Sequence, residues 1–95
     1  MSDYHEPAEE LSAISRDMTR ALNSLKEEIE AIDWYQQRVA TCSDAQLKKI
    51  LEHNRDEEIE HACMALEWLR RNMSGWDEKL KQYLFTTRDI TKIES

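Results

Sequence analysis

Reading the first half of the chain in heptads from Leu11 gives one seam: Leu11, Ile14, Met18, Ala21, Leu25, Glu28, Ile32, Tyr35 and Val39. A repeat of this kind belongs to a helix that packs lengthwise against another helix. Glu28 alone in that seam carries a charge. A second seam follows, with Leu47, Leu51, Asn54, Glu58, His61, Ala65 and Trp68, and it puts Glu58-x-x-His61 in the middle of an apolar stripe. Burying an unpaired carboxylate is strongly unfavourable, or it shifts the group's pKa until the charge is gone. Two carboxylates and an imidazole at one level of a helical pair therefore ask for a compensating cation.

The rest of the composition supports the helical reading. The chain has 95 residues, enough for one small domain, with 40% hydrophobic and 35% charged residues but one glycine and one proline. That balance favours long helices and argues against a turn-rich β fold. A formal net charge of −7 argues against nucleic acid as a partner and is compatible with cation binding. Cys42 and Cys63 have no metal-ligand spacing and read as reduced thiols of a cytosolic protein. The opening MSDYHEPAEE has neither a basic stretch nor an apolar core, so no signal peptide is expected. No apolar run approaches the ~20 residues of a membrane span.

The predicted organisation is a loose N-terminus over 1–7, a helical hairpin with a short third helix over 8–86, and a tail over 87–95. Pro7 suits a first helical turn, so helix 1 is predicted from about Ala8 to about Ala40. Thr41-Cys42-Ser43-Asp44 breaks it, and Ser43 with Gln46 reads as a capping box for helix 2. Helix 2 should run to about Met73 and stop at Ser74-Gly75. Trp76 to Phe85 reads as a short amphipathic segment with Leu80, Tyr83 and Leu84 on one side. The tail has no clear period and is read as coil or an edge contact.

A short turn makes the two long helices antiparallel neighbours. Glu28 lies roughly 18 Å before the turn and Glu58 roughly 21 Å after it, at about 1.5 Å per residue. The carboxylates are thus level within one helical turn, and His61 projects from the same face as Glu58. One hairpin supplies one Glu and one Glu-x-x-His, whereas a complete carboxylate-bridged di-iron site in a four-helix bundle takes two of each. The missing half is expected from a second copy, related by a two-fold axis. The fold class is all-α: two long antiparallel helices and a short C-terminal helix, completing a four-helix bundle by dimerisation.

The segments EEIEAIDWYQQR (27–38), HNRDEEIEHACMALEWLRR (53–71) and YLFT (83–86) closely resemble the encapsulated ferritins, ferritin-like proteins carried inside encapsulin nanocompartments. The resemblance spans about Leu11 to Thr86. It implies a ferroxidase centre between two subunits, with Glu28, Glu58 and His61 of each as ligands and two iron ions per subunit pair. Tyr35 matches a position beside that centre, and Trp34 its aromatic neighbour. Glu27 and Glu30 match acidic positions on the approach to the iron, where calcium or another divalent cation can also sit. The resemblance further implies dimers that close into an annular decamer, held in the cytoplasm within an encapsulin shell. Full-length members carry a C-terminal extension ending in a targeting peptide, and the residues up to Ser95 include no such segment.

Plainer readings stand beside these. Glu28, Glu58 and His61 can be a polar layer that fixes register in a coiled coil. Glu27, Glu30, Glu57 and Glu60 can be a solvated acidic face. Tyr35, Trp34 and Trp68 are packing residues first. His53 has Glu57 four residues on and reads as an exposed helix pair, and Asn54 either bonds a ligand carboxylate or fixes register. The expected activity is oxidation of Fe(II) to Fe(III) for iron storage. The alternatives are other di-iron or di-manganese chemistry such as peroxide scavenging, or a non-enzymatic helical dimerisation module.

Overall fold

The computed structural model describes residues 4–94. Residues 1–3 of the predicted N-terminal segment and Ser95 of the predicted tail lie outside the described residues. Helices α1 (Ala13–Thr41), α2 (Ala45–Asn72) and α3 (Trp76–Tyr83) carry the fold, with 3-10 turns at Ala8–Glu10 and Ile90–Lys92 and no strand among the described residues. The chain is therefore all-α. The long helices lie against each other, and α3 packs on α2.

Two predicted helix starts move, and local hydrogen bonding explains both. The first helix starts at Ala13, not Ala8, because Leu11 is extended and the Ser12 side chain accepts from the Ser15 N–H at 3.1 Å. A serine N-cap satisfies one of the donors that a helix start leaves open. Ala8–Glu10 form a separate 3-10 turn, held to α1 where the Arg16 guanidinium donates twice to the Ala8 carbonyl. Helix α2 is capped by Asp44 rather than Ser43: its carboxylate accepts from the Leu47 N–H at 2.8 Å.

At the far end Met73 closes α2, its N–H donating to the Leu69 carbonyl at 2.8 Å. Gly75 then takes φ 101°, a left-handed value that side chains resist, although a Cβ there would meet nothing within 4 Å. Its role is conformational. Helix α3 stops at Tyr83, two residues short of the predicted Phe85, where the backbone turns to φ 58°. The tail is more ordered than predicted. Asp89 accepts from the Thr91 N–H at 3.0 Å to start the last 3-10 turn, and Ile93 is buried.

The described residues span 50 × 40 × 19 Å. Two long helices make one layer, and a layer has no interior of its own. Val39, Leu69 and Ile93 are the buried apolar residues among those described. Ile29 at 56%, Trp34 at 51% and Met64 at 60% exposure remain open to solvent along the hairpin.

Candidate metal centre

The hairpin register delivers Glu28 from α1 to the level of Glu58 and His61 on α2. One ligand atom from each of these three residues lies within 4.8 Å of the other two. His61 Nδ1 stands 3.6 Å from Glu28 Oε2 and 3.7 Å from Glu58 Oε2. Both distances exceed a good hydrogen bond. The carboxylates sit inward, with side chains 24% and 25% exposed, while the imidazole at 48% stands at the open side.

Glu28 Oε2 is buried and has no hydrogen-bond partner. A buried carboxylate oxygen without a donor is costly, and a cation is what removes the cost. Donors on a six-coordinate divalent ion stand about 3 Å apart, given metal–oxygen distances near 2.1 Å. The cluster is slightly wider than that, so modest side-chain rotations would let it grip one ion. Two carboxylates and an imidazole form a donor set suited to iron or manganese, harder than thiolates and softer than all-oxygen cages.

The other predicted residues fall outside this cluster. Glu27 and Glu30 are exposed on α1 to either side of Glu28. Tyr35 is half-buried two turns along α1, with the Arg38 guanidinium 5.1 Å from its ring centre. Among the described residues, no hydrogen bond joins Tyr35 or Asn54 to the two carboxylates. His53 Nε2 pairs with Glu57 at 2.9 Å on the exposed face.

A second polar group joins α2 to α3. Arg70 pairs with Glu67 at 2.6 Å and with Asp77 of α3 at 2.7 Å, and Lys81 reaches Asp77 at 3.0 Å. Hydrogen bonds from Arg70 and then Arg71 hold the Glu67 carboxyl at about 2, and those from Arg70 and Lys81 hold Asp77 below its usual range. Their spacing marks Glu67 with Arg70 and Arg71, and Asp77 with Lys81. The link across the Gly75 turn has no sequence signature.

Antiparallel helices that converge a Glu from one and a Glu-x-x-His from the other define the ferritin-like class of helical proteins. Within that class the chain belongs to the EncFtn-like family, whose sequence profile matches residues 3–87. It is 68% identical over 91 residues to a ferritin-like protein of Thermotoga maritima, covering 96% of this chain and 80% of that protein. It is 55% identical to the encapsulated ferritin-like protein of Rhodospirillum rubrum, again over 96% of this chain but just under two thirds, 65%, of that relative. The crystal structure of protein ne0167 from Nitrosomonas europaea superimposes with a TM-score of 0.88 at 57% identity, covering 94% of this chain and 98% of that one. Among the described residues, no helix is long and apolar enough to cross a membrane.

Proposed function

We propose that the chain is a ferroxidase that oxidises Fe(II) to Fe(III) for iron storage. The observation that carries the reading is the buried, partnerless Glu28 oxygen beside Glu58 and His61. Each hairpin holds half of a di-iron site, and two copies related by a two-fold axis complete it. Glu28, Glu58 and His61 of each copy would hold the iron, Glu58 offering two carboxylate oxygens and His61 a neutral ring nitrogen. Iron enters as substrate, each Fe(II) gives up one electron, and dioxygen is the acceptor.

The apolar side chains left open along the hairpin support the same pairing, because a second hairpin laid on them completes a four-helix bundle. Tyr35 is proposed to lie at the edge of the joined centre, and Glu27 with Glu30 to raise the local cation concentration on the approach. The name of the Rhodospirillum relative supports an encapsulin shell as the container for the ferric product, with dimers closing into a ring inside it.

The test is stopped-flow oxidation of Fe(II) in air. Glu58→Ala and His61→Ala should each remove the fast phase, since each change occurs twice per completed site. A His61→Ala protein that oxidises iron at the parental rate would refute the ligand assignment.

A further inference from the structure

His53, Glu57 and His61 follow one another at four-residue steps on α2, so they form one row along the helix. His53 Nε2 and Glu57 Oε1 are 2.9 Å apart. Glu57 therefore reaches one turn back, towards the helix N-terminus. The same reach in the other direction brings it to His61. The row thus holds one carboxylate between two imidazoles, and only the bond to His53 is made.

His61 has a use for such an acceptor. Its Nδ1 faces the cluster, 3.6 Å from Glu28 Oε2 and 3.7 Å from Glu58 Oε2. Its Nε2 takes part in no hydrogen bond or ion pair among the described residues. A histidine that binds metal through one ring nitrogen almost always donates the N–H of the other to a carboxylate, a carbonyl or water. That bond fixes the tautomer and the orientation of the ring. Four residues stand one turn from His61 on α2: Glu57, Glu58, Met64 and Ala65. The two glutamates are the strong acceptors among them, and Glu58 faces Nδ1. Glu60, next in the chain, does not share the His61 face. Asn54 is two turns, roughly 10 Å, away.

We propose that Glu57 is a positioning residue for the metal centre: it accepts the Nε2–H of His61 and so holds Nδ1 towards the ion, while His53 competes for the same carboxylate. The inference rests on the reading of Glu28, Glu58 and His61 as ligands. A bound metal ion gives the His61 ring positive character, which makes its N–H···O bond charge-assisted and stronger. A carboxylate four residues before a positive partner is also better placed than one four residues after it. Both effects draw Glu57 from His53 to His61 when metal binds. The pair at 2.9 Å is then the metal-free arrangement. In this role Glu57 touches no iron. That separates it from Glu27 and Glu30, whose proposed part depends on charge alone.

The probe is Zn(II) alone, its affinity for the full chain measured by competition with a chromogenic chelator at low and high salt. Glu57→Ala should weaken binding about 10–100-fold. Glu57→Gln should recover most of that loss, because the amide oxygen still accepts from the Nε2–H. His53→Ala should bind at least as tightly as the parent, since it removes the competitor. In a double-mutant cycle, Glu57→Ala should cost nothing further once His61→Ala is in place. Alanine and glutamine are good helix formers and both positions are exposed, so α2 should survive each change. Equal losses for Glu57→Ala and Glu57→Gln, shrinking alike at high salt, would reduce Glu57 to a charge and overturn the inference. Equal losses for Glu57→Ala and His53→Ala would make that pair a cation site of its own and overturn it too, as would additive losses in the cycle. If His61→Ala weakens Zn(II) binding and Glu57→Ala does not, the ligand assignment stands and this inference alone falls. A His61→Ala protein with parental affinity takes down both.

Discussion

Removing Glu28 should move stability in opposite directions with and without metal. In metal-free protein the Glu28 Oε2 atom is buried without a partner. Leaving such a group unsatisfied costs about 1–3 kcal/mol. Glu28→Ala deletes that atom and places the best helix former in the middle of α1. Some packing of the side-chain stem is lost, so a net gain of about 1 kcal/mol is expected, which for a domain of this size raises Tm by about 4–8 °C. With Fe(II) the order reverses. The parental protein gains about 2.7 kcal/mol when free metal is a hundredfold above Kd, and the variant, lacking one ligand per half-site, gains little. The assay is thermal unfolding followed by circular dichroism, anaerobic, in chelator and in excess Fe(II). A variant that melts lower than the parent in chelator, yet keeps the full Fe(II) increment, would show that Glu28 is an ordinary seam residue.

Three further outcomes follow from the structure. Glu27→Ala with Glu30→Ala should slow Fe(II) oxidation only modestly, because both side chains are exposed beside the cluster and act at most on approach; stopped-flow rates at low and high salt check this. Glu67 has a folded-state pKa of about 2 against 4.5 when unperturbed, so its contribution is complete above about 4.5 and is lost as pH falls through that window towards 2; Glu67→Gln should flatten that part of a stability–pH profile. Aerated with excess Fe(II) and no shell protein, the isolated chain should yield aggregated ferric solid, because the proposed pairing of hairpins would enclose no sealed cavity; electron microscopy showing uniform soluble iron cores would contradict it.

Much of this arrangement is legible in the sequence because the seam is regular. Glu28 interrupts one heptad run and Glu58-x-x-His61 the other, and an antiparallel turn at 42–44 leaves only one way to align them. What local spacing leaves open is decided by competition between neighbours. Pro7-Ala8-Glu9-Glu10 is a good helix opening, yet the Ser12 hydroxyl captures the Ser15 N–H and starts α1 later. Ser43 and Asp44 are both good caps, and the carboxylate prevails. The order at Ile93 and the Arg70–Asp77 bridge depend on where the chain returns after Gly75, which local spacing does not encode. The orphaned oxygen of Glu28 could be suspected from the heptad, but only the packed hairpin reveals that nothing in the chain bonds it.

The central claim is that two copies of Glu28, Glu58 and His61 hold a pair of iron ions between them. Anaerobic titration with Fe(II), followed by native mass spectrometry, reads metal count and assembly in the same spectrum. Metal-free protein at low concentration should be mainly monomer, since four ligand carboxylates repel across the joined site, and Fe(II) should convert it to dimers and larger species carrying two iron ions per subunit pair. Saturation at one iron per chain without any association, or the same assembly with and without metal, would contradict the shared di-iron centre.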